Sequence, residues 1–477
     1  MSANAYAPSI ACNRFGLGAR PGDLTAVRGT ERDWLRAQLR GTAPLLEAAS
    51  LSPGSPPLRS TREILAGAAP IVQQLRERRV QAAAADTNGK AALATFIRLP
   101  QYFRPLYVAD VQARLYAAST TSRPMAERLV HFWSNHFAVS VDKIAVLGIA
   151  GSMEREAIRP HVLGRFQELL LAVEQHPAML LYLDNQQSVG PNSPQAGRAA
   201  ARGRALGLNE NLGREILELH TLGVDGGYTQ ADVTSFARVL TGWSISGQGQ
   251  GPRQSGAPGE FLFRPELHEP GAQNVLGRRY AQDGVAQGQA VLRDLAAAPA
   301  TARHIATKLV RHFVADDPPA AAVERVAKVF ERTGGDLPAV YDALIDSAEA
   351  WQAPFAKFKT PQDYIFSAHR ALGLAPQNEP HPLATFEVLG QRQFGPGSPA
   401  GWPDRSDDWD GAGALMKRIE LADAVAQKLE ATADAAALAP QLWGEALSAA
   451  TRQAIGRATS GAQAMTLLLT APEFLRR

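Results

Sequence analysis

Residues 209–243 read NENLGREILELHTLGVDGGYTQADVTSFARVLTGW: an apolar residue every third or fourth position, a glycine turn, then a second run with the same spacing. That spacing is helical. On a helix at about 100° per residue, Leu212, Ile216 and Leu219 share one face. Glu210, Asn211, Arg214, Glu215 and Glu218 share the other. Gly223 suits a helix C-terminus, and Thr229 with Asp232 three residues later forms a capping box that starts the next helix.

Working outward, the same spacing recurs near 26–40, 60–84, 101–119, 123–138, 164–184, 300–315, 320–333, 336–349, 359–372, 384–394, 411–430 and 462–476, while alternating strand-like runs are scarce. The expected fold is mainly α, a large multi-helix globular protein with a small irregular or β-hairpin excursion around 258–282. FLFR (261–264) and NVLGRRY (274–280) would pair as a hairpin there or form an ordered excursion. At 477 residues the chain exceeds the usual single core. It is expected to divide into an N-terminal helical region, 1–285, carrying the candidate site, and a C-terminal one, 286–477, packed with it as one unit. Two stretches rich in Gly, Gln and Ser, 186–207 and 244–260, are expected as flexible loops bracketing the 209–243 block.

Composition narrows the function. Hydrophobic residues at 45%, charged residues at 20% and a net charge of +3 describe an ordinary globular chain without a field strong enough to call for nucleic acid. The single cysteine, Cys12, excludes an intramolecular disulfide and any cysteine-rich metal site. The N-terminus lacks the apolar run of a secretory signal, and no stretch approaches a membrane span. The expected location is cytoplasmic, or exported with a partner. Glycine-rich nucleotide loops, the nucleophile elbow of serine hydrolases and the His-Glu-x-x-His zinc helix are all missing.

The polar face of 209–222 is good raw material for metal binding or acid–base work, because two carboxylates beside an arginine and an amide can titrate apart. The same residues would serve equally as a solvated face laced with i,i+4 ion pairs. In ERLVHFWSNHF (127–137), His131 falls with Glu127 and Asn135, whereas His136 falls with Phe132 and Trp133, about 140° away. The two imidazoles should not chelate together. His268 and Glu269 close an irregular segment, a usual place for functional side chains. His304 and His312, with Arg303, Lys308 and Arg311, read as a basic surface or interface, and Thr360–Pro361 reads as a helix start.

NRFGLG (13–18), FWSNHF (132–137), PAMLLYLDN (177–185), the 207–243 block, LHEPG (267–271), LGRRY (276–280), FKTPQDY (358–364) and GWPD (401–404) together resemble the bacterial family called domain of unknown function 1800. The resemblance covers nearly the whole chain. It implies a mainly helical protein without an assigned activity, and many members are encoded beside a secreted protein similar to the alkaline phosphatase and sulfatase superfamily. Carried over by position, it marks Trp133, Asn135, His136, Asn209, Glu210, Asn211, Arg214, Glu215, Glu218, Gly223, Tyr228, Thr229, Asp232, Trp243, His268 and Gly271. Ser134, Gly213 and Glu269 depart from the histidine, alanine and aspartate usual there.

Two functional expectations follow. In the first, a helical enzyme, such as a metal-assisted hydrolase or a related carboxylate–histidine enzyme, works with His136, Glu215, Glu218, Arg214 and His268. Trp133, Asn135, Asn209, Glu210, Asn211, Tyr228 and Glu269 would contact substrate, and His136 with Glu215 and Glu218 would hold a divalent metal. In the second, the protein is a non-catalytic binding or assembly partner of a phosphatase- or sulfatase-like protein, and the polar residues form a structural network.

Overall fold

Helices carry nearly all regular structure in the computed structural model, which describes residues 5–46, 57–84, 90–247, 258–352, 355–374, 382–429 and 434–477. The protein is mainly α. Among the described residues, strands form only two short antiparallel pairs, and no helix is long and apolar enough to cross a membrane.

The helix Pro124–His136 runs through the centre. Proline occupies its first turn, where the missing N–H costs nothing. Eleven of its thirteen residues are buried, including Glu127, Arg128, His131 and His136. Burying so many polar groups is tolerable only because most are paired. Arg159 donates to both carboxylate oxygens of Glu127 at 2.8 and 2.6 Å and to Glu154 at 2.8 Å. Arg128 donates to Asp363 at 3.0 Å and to the Gly16 carbonyl at 2.6 Å. Trp133 hands its indole proton to Tyr341.

The helix Pro299–Phe313 buries Ala302, Ile305, Ala306, Leu309, Val310 and Phe313. Lys308, Arg311 and His312, spaced three and four apart, therefore share a neighbouring flank. The helix Pro361–Leu372 starts at a Thr360 cap, and Gln230–Leu240 starts at the Thr229–Asp232 capping box, both where the sequence places them.

Three turns are wider than α. Ala11–Phe15, Glu154–Ile158 and Ile216–Thr221 are π-helical, with i→i+5 bonds such as Leu222 N to Leu217 O at 3.0 Å. The last one breaks the expected continuous 208–222 helix into Asn211–Glu215 and Ile216–Thr221. An inserted residue shifts the face that follows. Leu217 and His220 are fully buried while Leu219 is only half-buried.

The small excursion around 258–282 is present, but FLFR and NVLGRRY do not pair with each other. β1 (Trp243–Ile245) pairs with β2 (Phe261–Phe263), and β3 (Gln273–Val275) pairs with β4 (Arg278–Tyr280). Leu276 and Gly277 both have positive φ, 52° and 73°, giving the two-residue turn that suits strand twist. The 186–207 stretch is not a bare loop. Ser193 caps a helix, Pro194–Ala200, and Asn192 is held by Glu269 at 2.8 and 2.5 Å. Of the expected 244–260 loop, residues 248–257 lie outside the described residues.

Candidate functional site

A cavity of about 480 Å³ opens beside the Pro124–His136 helix. One wall is that helix's repeating face, Arg128, His131, Phe132, Asn135 and His136, spaced three, four, seven and eight apart. Lys308, Arg311 and His312 form the opposite wall. Gln362 and Asp363 come from the start of the Pro361–Leu372 helix, and the segment 391–408 contributes Gln393, Trp402 and Asp404. Arg114 and Glu154, the latter opening a π turn, close the remaining side.

The 391–408 segment is pinned by Asn135. Its amide donates to the Trp402 carbonyl at 2.8 Å and accepts from the Trp402 N–H at 2.7 Å. Gly401 makes this approach possible: its φ is +83°, and a Cβ there would lie 2.3 Å from the Asn135 carbonyl oxygen.

At the centre of the site, Asp404 Oδ2 lies 2.9 Å from His312 Nδ1. An ionised carboxylate only accepts, so Nδ1 carries the proton and Nε2 keeps its lone pair. Nε2 is buried and has no hydrogen-bond partner among the described residues. Burial lowers the His312 pKa to about 4 despite the opposing pull of Asp404. His136 has the reverse arrangement. Its Nε2 donates to the His220 carbonyl at 3.2 Å and its Nδ1 is left without a partner. Burial, with Lys308 and His220 nearby, holds its pKa well below the usual histidine value. Nδ1 of His131 and Nε2 of Gln393 also lack a hydrogen bond among the described residues, while His131 Nε2 lies 3.4 Å from Glu127 Oε1. Buried polar atoms without partners are rare in folded proteins, and here several surround one cavity.

In the lining and behind it lies a balanced ionic lattice. Glu154 is engaged by Arg114 and Arg159, Asp363 by Arg128 and Arg477, and Asp404 by Lys357 and Arg477. Glu127 and Asp316 complete it, bound to Arg159 and Lys357. Those five carboxylates match five cations. Lys308 and Arg311 stand outside this lattice, with no ion pair among the described residues.

The residues expected from sequence divide between two places. His136, Asn135 and Ser134 face the cavity, the last donating to Glu154 at 2.7 Å. Trp133 lies behind His136, its ring centroid 5.1 Å from the imidazole. The 209–232 group does not reach the cavity. Glu210 accepts from Arg214, Gln230 and Thr234. Glu218 accepts from Tyr228 at 3.1 Å. Asn209 caps its own segment by accepting from Asn211 N, while its amide donates to the Leu183 and Asp184 carbonyls. Glu215 is half-buried, and burial raises its pKa, with Glu218 and Glu174 adding to the rise.

His268 donates to the Thr241 carbonyl at 2.9 Å, and Glu269 is spent on Asn192. No hydrogen bond or ion pair joins His136 to Glu215, Glu218 or His268 among the described residues. Nor do the described residues contain any group of three His, Cys, Asp or Glu side chains able to hold a metal ion.

Between the two places sits His220, fully buried with Glu174, its Nδ1 2.7 Å from the carboxylate. His136 bonds to its backbone and separates the cavity from the 209–232 group.

The site residues that the spacing did not single out are Arg114, Lys308, Arg311, His312, Asp363 and Asp404. The basic 303–312 stretch is not a plain surface, since three of its members line the cavity. Signals were present: Lys308, Arg311 and His312 share one helical flank, and Asp363 and Asp404 fall in FKTPQDY and GWPD.

Compared with known proteins, residues 10–476 match the family model described as Protein of unknown function (DUF1800). No curated protein and no solved structure matches the chain.

Proposed function

The chain belongs to the DUF1800 family, and from that premise we propose that it is a carboxylate–histidine enzyme whose general base is His312, oriented by Asp404, in the cavity beside Pro124–His136. One observation carries the reading: an imidazole held by a carboxylate through Nδ1 lines the cavity and keeps a buried Nε2 that has no hydrogen-bond partner among the described residues. That arrangement takes a proton from a substrate hydroxyl, thiol or water and leaves the new imidazolium stabilised by Asp404. His136 lines the same cavity and keeps a second buried acceptor, Nδ1, without a hydrogen-bond partner among the described residues.

The proposal needs no divalent metal on His136, Glu215 and Glu218. A second reading applies to the 209–232 group, whose internal pairing favours a structural network, as in an assembly partner of a phosphatase- or sulfatase-like protein. Co-purification of such a protein, lost on Glu210→Ala, would support it.

The acid–base reading is tested in two steps. Nitrogen-15 NMR of histidine-labelled protein at pH 7 should show His312 as the neutral Nδ1–H tautomer. The Nε2–H tautomer or a charged ring overturns the assignment. In a panel of ester, amide and phosphomonoester hydrolyses, His312→Asn should then reduce any turnover by about 10²–10⁴-fold, and undiminished turnover would count equally against it.

A further inference from the structure

We propose that Lys308 and Arg311 form an anion-recognition pair, and that the ligand of this cavity carries a compact oxyanionic group, a carboxylate or a phosphate. The inference rests on the cavity being a ligand site, as above, but not on His312 being the base.

The argument begins with charge. The buried lattice around the cavity is neutral by pairing, five carboxylates against five cations. Adding two cations to a neutral, partly desolvated wall is unfavourable unless something compensates them. Lys308 is half-buried and Arg311 likewise, and neither has a carboxylate within ion-pair distance among the described residues. Among the described residues, the one hydrogen bond from the Arg311 side chain goes from Nε to the Asp316 carbonyl at 3.3 Å, which leaves both terminal nitrogens of the guanidinium uncommitted there.

Position points the same way. Lys308 and Arg311 are three residues apart on one helix, so their side chains lie side by side. The nearest carboxylate in the lining, Asp404, is already held by His312, Lys357 and Arg477. Asp408 and Arg405 are exposed at the rim, and Arg405 is paired outward with Asp317 and Asp407. An oxyanion seated between an ammonium and a forked guanidinium gains charge-assisted hydrogen bonds from both.

A bound anion would also act on the imidazoles. Negative charge near His312 and His136 favours their protonated forms, so binding is expected to draw a proton into the cavity. The anion would thus move His312 from a weak base toward the strength that proton transfer near neutral pH requires.

The test is isothermal titration calorimetry at pH 7 with inorganic phosphate and with succinate as probes, repeated in two buffers of different ionisation enthalpy. The native protein should bind at least one probe saturably, with a Kd of about 1 mM or tighter and net proton uptake. Lys308→Gln and Arg311→Gln should each weaken binding at least tenfold. Arg303→Gln, on the same helix but paired with Glu324 at the surface, should leave it unchanged. His312→Asn should keep most of the affinity while losing part of the proton uptake. That variant separates the two proposals, since turnover can fail with binding intact. Thermal melts establish that each variant is folded. If neither probe saturates, or if affinity survives the Lys308→Gln/Arg311→Gln double substitution in a folded protein, the anion pair is wrong.

Discussion

His312 and His304 are each lowered to about pKa 4, first by burial. Their unfolded value is near 6.5. Between those values the unfolded chain binds more protons than the folded one, so stability rises with pH from about 4 to 6.5 and is lost on acidification through that window. His136 acts in the same direction. Asp110, which burial pushes up to about 6, and Glu215, which burial also raises, act in the opposite direction. Below about pH 4 the carboxylates take over. In Asp363, Asp404 and Glu127, burial would raise the pKa, but neighbouring cations overcome it and hold all three below the carboxylate range. Urea midpoints measured at pH 7, 5.5 and 4.5 should fall in that order. A flat profile down to pH 4.5 would contradict neutral buried imidazoles.

At the level of elements, local signals were legible and long-range ones were not. Caps depend on residues three apart, so Thr229–Asp232 and Thr360–Pro361 could be read directly. The π turn at Ile216–Thr221 could not, because nothing in the spacing marks an extra residue in a turn. The flank that His220 shares with Gly213, Ile216 and Leu217 follows from helical spacing alone, and there it is buried beside Glu174. The carboxylates of 209–218 were recognisable as a polar face, but partners twenty residues away, such as Gln230 and Thr234 for Glu210, decided what that face does.

Asp232 shows the reach of one cap. Besides closing the capping box, its other oxygen accepts from Leu276 N at 2.7 Å and ties the β3–β4 turn to the helix. Asp232→Ala should cost about 1–2 kcal/mol. Hydrogen exchange should quicken at Leu276 and Gly277 as well as at the helix start, and a loss confined to the helix would dismiss the tie.

Across the whole molecule, the cavity is assembled from residues 114–158, 308–312, 360–363 and 391–408. Convergence of that kind is a property of packing, which periodicity does not encode. What the sequence did carry were the short strings FWSNHF, FKTPQDY and GWPD, each supplying part of a wall. Gly401 is where two distant walls meet, so Gly401→Ala tests the assembly. Forcing alanine to φ +83° costs about 1–3 kcal/mol, and its Cβ would collide with the Asn135 backbone. The expected result is a lower Tm together with weaker phosphate binding, as Trp402 and Asp404 shift away. Unaltered binding at a lower Tm would show that the two walls are independent.

The grip of Asn135 on both backbone groups of Trp402 has one more consequence. A boundary held from both its N–H and its C=O stays in place, so the partly open cavity of about 480 Å³ keeps one wall of fixed shape against any guest. That volume matches a metabolite-sized compound, which would meet the same wall each time it binds.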